Sequence, residues 1–394
     1  MRTYRNISAA LLLLSFSNLF ANEDILSQNK KEILKYSYEK SKEDSNKLSK
    51  DWINPITYKY IYNDSEKLDI KTSKSFISIS QPIFKSGGIY SAIKYSSSMD
   101  RYSKTSIDAQ KKELIKQAVN LLYEIHKIDI TIKKQELLIQ NAKIDVERKK
   151  ELVLNGIMDT SFLDNAILDS NTKQNNLIDL QYQKEQLINS FYNISDKNYN
   201  DLKLPVFKIV DDKEYLNNNL YIKQAEQEID NAYWLKNMTI SSYLPTVNFT
   251  ADYTKYHDND GNPAYDRDWQ SNVGFNITIP LDIRFSNSIQ SSKLEYLKKK
   301  ISLKDKKTEE LNIYKNSTAK IKSLDKKIEI ANNDLELYDS LVTQIKEQLS
   351  VGMKTPSDLE MIENSKKIKS LEVKSLNIDK QLQLLEIYSR TYNG

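Results

Sequence analysis

The stretch Asn272-Val273-Gly274-Phe275-Asn276-Ile277-Thr278-Ile279-Pro280 alternates strictly, with Val273, Phe275, Ile277 and Ile279 apolar and Asn272, Gly274, Asn276 and Thr278 small or polar. Such alternation predicts a strand with one apolar and one wet face. After Pro280 the period changes, and a helical pattern runs for about seventy residues, against roughly 8–20 for an ordinary globular helix. The same event follows Phe76-Ile77-Ser78-Ile79-Ser80-Gln81-Pro82, with the two prolines 198 positions apart. Half a chain separates them, so the sequence predicts an internal duplication.

Composition supports long helices. Among 394 residues there are only 7 Gly and 7 Pro, and 28% are charged. Few breakers and many charges suit extended, solvated helices. The formal charge is +4, too near neutral to call for a nucleic-acid partner. The 25 Tyr outnumber 10 Phe and 3 Trp, which fits either a membrane-interface belt or strand-rich segments.

Residues 1–21 are expected to be a cleaved signal peptide: Arg2 and Arg5 precede the apolar run Ala9 to Phe20, and Ala21 precedes Asn22-Glu23-Asp24. The apolar run falls short of the roughly 18 residues of a spanning helix. With no Cys there is neither a disulfide nor a lipid-anchor cysteine. An exported chain without a later apolar helix can enter a membrane only through strands.

Taken in order, residues 23–50 read as a polar helix ended by Trp52-Ile53-Asn54-Pro55. A strand follows, with Ile56, Tyr58, Tyr60 and Tyr62 on one face, then a turn at Asn63-Asp64-Ser65-Glu66 and a return strand from Ser75 to Gln81, closed by Pro82. From about Gly88 to Leu154 no proline interrupts a helical pattern, which implies a helix on the order of 100 Å. It should stop at Leu154-Asn155-Gly156-Ile157, with Gly156 as the left-handed cap and Thr160 or Ser161 capping the returning helix, about 162–193. Residues 195–213 are the least regular. The cycle then repeats with a helix over about 214–241, a break at Tyr243-Leu244-Pro245, and the strand Val247 to Tyr253. A polar loop 256–268, the opening strand and a second long helix after Phe285 come next, followed by a turn at Val351-Gly352-Met353 and a last helix to about Arg390. Gly156 and Gly352 lie 196 apart, as do Leu163 and Leu359. The expected organisation is therefore a leader (1–21), a first repeat (22–200, hairpin 56–82, tip turn 155–161), a linking segment (201–213) and a second repeat (214–394, hairpin 246–280, tip turn 351–358).

Four strands cannot close a barrel, which needs about eight, and an isolated hairpin is marginal in water. The residues Tyr58, Tyr60, Ile77, Ile79, Val247, Phe249, Phe275 and Ile277 suit lipid. Pooling four strands from each of three copies would leave no free edge. The long helical hairpins would pack laterally as a coiled-coil wall. The expected fold class is thus mainly α, with long antiparallel helical hairpins forming a tunnel and four strands per chain given to a trimeric 12-stranded barrel.

This arrangement resembles the TolC family of outer-membrane channel proteins. The residues that carry the likeness are the Gln81-Pro82-Ile83-Phe84 junction, the Tyr243-Leu244-Pro245 entry to the second hairpin and the two Gly-centred turns. It covers about residues 23–392. The resemblance implies a homotrimer in outer-membrane lipid, a periplasmic helical tunnel closed at its tip, a periplasmic adaptor, and an inner-membrane transporter of the RND (proton-driven) or ABC (ATP-driven) type. No nucleophile–base pair, phosphate loop or metal cluster is visible in the sequence, so neither an enzyme nor a cofactor is expected. Efflux of small molecules is the leading expectation, with a duct for type I protein secretion and an exported coiled-coil spacer as the alternatives.

By the same resemblance the tip turns carry the gate and the adaptor contacts. Gly156, Ile157, Gly352, Met353 and Thr355 fall at the contact positions, and Phe162, Leu349, Lys354 and Asp358 at the pore. Three Asp358 carboxylates in one ring would favour cations, whereas Asp358 also fits a plain first-turn carboxylate on the helix dipole. The family's polar latch uses an Asp six after the first Gly, a Tyr three before the second and an Arg two after it. Those positions are Phe162, Leu349 and Lys354 here, so the gate is expected to rest partly on apolar packing, with Asp159 and Asp164 as nearby carboxylates. The run Asp258-Asn259-Asp260-Gly261-Asn262 departs from a calcium loop, and His126 and His257 have no ligand-like neighbours in sequence.

Overall fold

Proline and glycine are so sparse that helices here stop only where a turn is built on purpose. The structure, a computed structural model, describes residues 24–66, 70–258 and 268–392. The elements are α1 (Gln28–Ser49), β1 (Thr57–Ser65), β2 (Ile70–Phe84), α2 (Gly88–Leu154), α3 (Thr160–Tyr192), α4 (Asp212–Asn217), α5 (Leu220–Ser241), β3 (Thr246–Asp258), β4 (Trp269–Thr278), α6 (Phe285–Ser350) and α7 (Pro356–Ser389). The order of helix, two strands, very long helix and shorter helix occurs twice. Two units are distinguished: one of residues 1–32, Gln110–Asn219 and Leu311–Gly394, the other of Ile33–Ala109 and Leu220–Glu310.

The second of these units holds the sheet. Its strands lie in the order β1-β2-β3-β4, all neighbours antiparallel. Beside the sheet, side-chain partners set four helical segments in the order α1, α2, α5, α6. Ser45 and Ser96 exchange hydrogen bonds between α1 and α2. Gln227 Nε2 donates to Thr105 Oγ1 between α5 and α2 at 2.9 Å. Lys299 pairs with Glu228 between α6 and α5 at 2.7 Å, which raises the lysine's pKa. Buried Ser91, Ser98 and Thr105 recur every seven residues along α2, small polar side chains that let neighbouring helices approach. Gly88 shows the limit of that approach, since a Cβ there would collide with Ser241 Oγ.

The first unit packs its helical segments in the order α3, α2, α7, α6. Lys184 meets Asp129 across α3 and α2. Lys127–Asp379 and Lys116–Glu386, both 2.6 Å, join α2 to α7. Lys380–Asp325 and Lys369–Asp334 join α7 to α6. Its core is formed by Ile115, Ala118, Val119, Leu122, Tyr123 and Ile125 of α2 with Phe191, Tyr215, Leu384, Leu385 and Ile387. The irregular segment between α3 and α4 is fastened by side chains. The Tyr123 hydroxyl donates to the Pro205 carbonyl, the Phe207 N–H to Gln381 at 2.7 Å, and the Tyr314 hydroxyl to the Val210 carbonyl at 2.7 Å. Burial pushes the Tyr123 phenol well above its ordinary pKa.

Several sequence expectations need correction. The turn placed at Asn63–Glu66 is strand up to Ser65, because Asn63 and Asp64 pair with Thr72 and Lys71. Pro82 does not end β2, which runs to Phe84. β1 stops opposite Ser78, so β2 is an edge at Pro82 and a missing N–H is tolerated. The helix expected over 214–241 is broken at Asn218 and Asn219, where Asn219 bridges Thr391 and the Asn218 carbonyl accepts from the Tyr392 N–H. β3 runs to Asp258, past the expected loop start at 256. The leader and the Asn259–Asn262 run lie outside the described residues.

Candidate functional site

The strand register decides what each face of the sheet presents. Directly opposed residues in antiparallel strands share a face. Tyr58 pairs with Ile77, Ile77 with Tyr253, Ile79 with Ala251, Ala251 with Val273, Phe249 with Phe275 and Val247 with Ile277. All eight residues expected to suit lipid therefore lie on one face across four strands. Val273, Phe275 and Ile277 are 72%, 69% and 70% exposed, a contiguous apolar surface of the kind soluble proteins do not leave bare. Phe249 and Phe275 are 5.6 Å apart, and Tyr253 stacks with Trp269 at 6.1 Å.

The opposite face is polar. It carries Ser78, Asp252 and Asn272 in one row, Ser80, Thr250 and Gly274 in the next, then Asn248 and Asn276. Asn272 donates to Asp252 and Asn248 to Asn276, both at 2.9 Å. Among the described residues, both outer strands, β1 and β4, have one edge without a partner. No described helix is long and apolar enough to cross a membrane.

Where β2 hands over to α2, the chain turns sharply through Ser86 (φ 42°) and Gly87 (φ 84°). Ser86 Oγ donates to the Pro245 carbonyl at 2.7 Å and Ser241 Oγ to the Lys85 carbonyl at 2.5 Å. The Ser86 strain is held by these bonds, which tie the start of α2 to the entry of β3.

In the other unit, two turns link the long helices to their shorter partners. Gly156 and Gly352 adopt φ 71° and 75°, and each follows the last helical turn with the backbone bonds of a left-handed cap, Ile157 N–H to Leu152 O and Met353 N–H to Gln348 O. The first returning helix is capped by Asp159, not by Thr160 or Ser161. Its carboxylate accepts from the Ser161 N–H at 2.8 Å, which lowers its pKa. The second begins with a capping box: Thr355 Oγ1 accepts from the Asp358 N–H, and the Asp358 carboxylate accepts from the Thr355 N–H.

Asp358 has a second engagement that its sequence position does not reveal. Its other oxygen meets Arg148 Nη2 at 2.7 Å, joining the end of α2 to the start of α7. The Thr355 N–H, then the Thr355 hydroxyl, Arg148 and Lys354 all hold this carboxyl below its ordinary pKa. Both readings of Asp358 from sequence therefore meet a carboxylate already in use as a cap and a clasp. Phe162 is half exposed, Leu349 partly buried and Lys354 exposed. Ile157 and Met353 are 71% and 74% exposed, and Leu154 and Val351, which sequence reasoning passed over, are comparably bare. Each turn thus presents two apolar side chains to its surroundings. Among the described residues no group of acidic or histidine side chains is placed to hold a metal.

Comparison with known proteins agrees with this layout. The model of the family described as outer membrane efflux protein matches residues 213–365. No curated protein matches the chain in sequence. Among solved structures, the outer membrane protein VceC of Vibrio cholerae superposes with a TM-score of 0.71 at 11% identity, covering 91% of this chain and 92% of its own. The CmeC outer membrane channel of Campylobacter jejuni gives 0.72 at 14% identity, with 94% and 84% covered. The open state of the MtrE outer membrane channel of Neisseria gonorrhoeae gives 0.63 at 12% identity, with 94% and 87% covered. Residues 213–365 thus match the outer membrane efflux protein family, and the chain as a whole has the fold of the outer-membrane channels it superposes on.

Proposed function

We propose that this protein is the outer-membrane channel of a tripartite efflux system, a homotrimeric duct that expels small molecules across the periplasm and outer membrane. The observation that carries the reading is the four-stranded sheet, apolar on one face across all four strands and, among the described residues, unpartnered at both edges. Three such sheets joined edge to edge give twelve strands, satisfying every ladder bond with an apolar exterior and a polar lumen. A coiled-coil spacer has no use for that sheet. The family match to outer membrane efflux proteins favours efflux over protein secretion.

In this reading the tip turns are the gate and the docking end. Ile157 and Met353, with Gly156, Gly352 and Thr355 shaping the turns, supply apolar contacts for a periplasmic adaptor, which links the duct to an inner-membrane transporter. Phe162, Leu349, Lys354 and Asp358 line the constriction. Membrane fractionation tests the proposal: the protein should partition with the outer membrane and migrate on gels as a heat-sensitive trimer. A deletion strain should accumulate more drug than its parent. A soluble periplasmic product, or unchanged accumulation of every compound tried, would sink it.

A further inference from the structure

The apolar face of the sheet changes character toward the β1–β2 and β3–β4 hairpin ends. Nearest the helices its rows are aliphatic and phenyl: Val247–Ile277, Phe249–Phe275, and Ile79–Ala251–Val273. The next row, Tyr58–Ile77–Tyr253, brings in phenols. The row after that is Tyr60–Ser75–Lys255–Trp269, with a cation between two aromatic rings. Lys255 is exposed, and among the described residues no carboxylate lies within ion-pair distance of it. One step further, the β2–β3 register slips between Ser73 and Lys74, which makes His257 the extra residue of a β-bulge. Bulges re-aim side chains, and this one sets His257 Nε2 2.7 Å from Ser75 Oγ, which also lies 3.2 Å from the Tyr58 hydroxyl. The Tyr60 ring lies 5.9 Å from the imidazole. The neighbouring Lys71 and Asp64, 3.8 Å apart, largely cancel one another.

We propose that Lys255, together with Ser75, His257 and the Tyr58 hydroxyl, forms a seat on the outside of the barrel for the anionic, phosphate-bearing headgroup of a lipid in the outer leaflet. The inference rests on the membrane reading above. From Ile277 to Trp269 the strand runs about 27 Å, which at the roughly 35–45° tilt of barrel strands is about 20 Å along the membrane normal, most of the roughly 25 Å apolar band. This puts the Tyr60–Trp269 row at headgroup level, where aromatic rings settle. An ammonium there, with no ion-pair partner among the described residues, attracts a lipid phosphate, and the hydroxyls of Ser75 and Tyr58 can donate to its oxygens. The apolar rows immediately below take the acyl chains, which is why the occupant is a lipid and not a soluble anion.

Trp269, opposite Lys255, is a built-in probe. The full-length oligomer is placed in mixed vesicles of zwitterionic phosphatidylcholine and anionic phosphatidylglycerol, with bromine on the chains of one lipid or the other. The Trp269 signal is taken as the difference between the protein and its Trp269→Phe variant. Quenching by brominated phosphatidylglycerol should exceed its bulk share by about fivefold, the effect of one cation at an anionic surface. Lys255→Gln should remove that enrichment, Lys255→Arg should retain it, and inorganic phosphate at matched ionic strength should leave it unchanged. Equal quenching by both lipids, enrichment that survives Lys255→Gln, or competition by free phosphate would overturn the lipid seat alone. Absence of quenching by either lipid would overturn the membrane reading with it.

Discussion

Replacing Asp358 by Ala should loosen the start of α7 far more than replacing Arg148, although the two form one ion pair. The pair is short, 2.7 Å, but its side chains are 42% and 21% exposed, and such pairs contribute on the order of 0.5 kcal/mol. Arg148→Ala loses that and a weak contact to Met361 Sδ at 3.8 Å. Asp358→Ala also removes the bonds from the Thr355 N–H and hydroxyl, both 3.0 Å, and with them half of a capping box worth about 1 kcal/mol. The sum of about 1.5 kcal/mol corresponds to roughly tenfold more frequent opening of the first turn of α7, against about twofold for Arg148→Ala. Amide hydrogen exchange, read over Asp358 to Met361, measures that ratio. Equal exchange in the two variants would refute the capping account. If Asp358→Asn left exchange unchanged but abolished cation preference in planar bilayers, the carboxylate would belong to a pore ring and not to the helix cap. The pH dependence has a definite sign. Because the folded pKa lies below the ordinary 3.8, the ionised carboxylate stabilises the turn above that value. The stabilisation is lost as pH falls through the lowered folded value.

Three further outcomes follow from the geometry. Gly352→Ala meets no neighbour within 4 Å, yet at φ 75° it should cost about 1 kcal/mol of backbone strain, seen as faster limited proteolysis at the turn. Phe275→Lys should impair membrane assembly by about 2–4 kcal/mol if it falls near the bilayer centre, whereas Asn276→Lys, one residue along on the polar face, should assemble normally and alter conductance. The yield of heat-sensitive trimer separates the two. Tyr123→Phe leaves the Pro205 carbonyl without its phenol donor and should destabilise the surrounding core by about 1–3 kcal/mol, measured as a lower urea midpoint with an unchanged slope.

Much of this was legible because the patterns involved are local. Strict alternation around Phe275 and Ile277 names a strand and sorts its two faces without reference to any partner. An uninterrupted apolar period of three to four from about Gly88 to Leu154 names the long helix that the structure shows over Gly88–Leu154. Gly156 and Gly352 mark the turns because only a left-handed residue satisfies the orphan carbonyls of a helix end. The differences from the structure have separate causes. Asn63 and Asp64 are strand because a partner strand is present to receive them. Asp159 was overlooked as a cap because Thr160 and Ser161, equally able in composition, stand beside it.

The sequence by itself determined the strands, the long helices, their order and the parity of every strand, since all of these depend on neighbours within a few residues. Only the tertiary structure decided which residues far apart in the chain meet. The β2–β3 register, set by ladder bonds between residues about 175 positions apart, merged four separately amphipathic strands into one apolar face and brought Ser75, Lys255 and His257 together. The meeting of Arg148 with Asp358, 210 positions apart, turned a first-turn carboxylate into a clasp between helices. Such contacts are chosen by how whole helices and strands pack, and no local pattern carries that information.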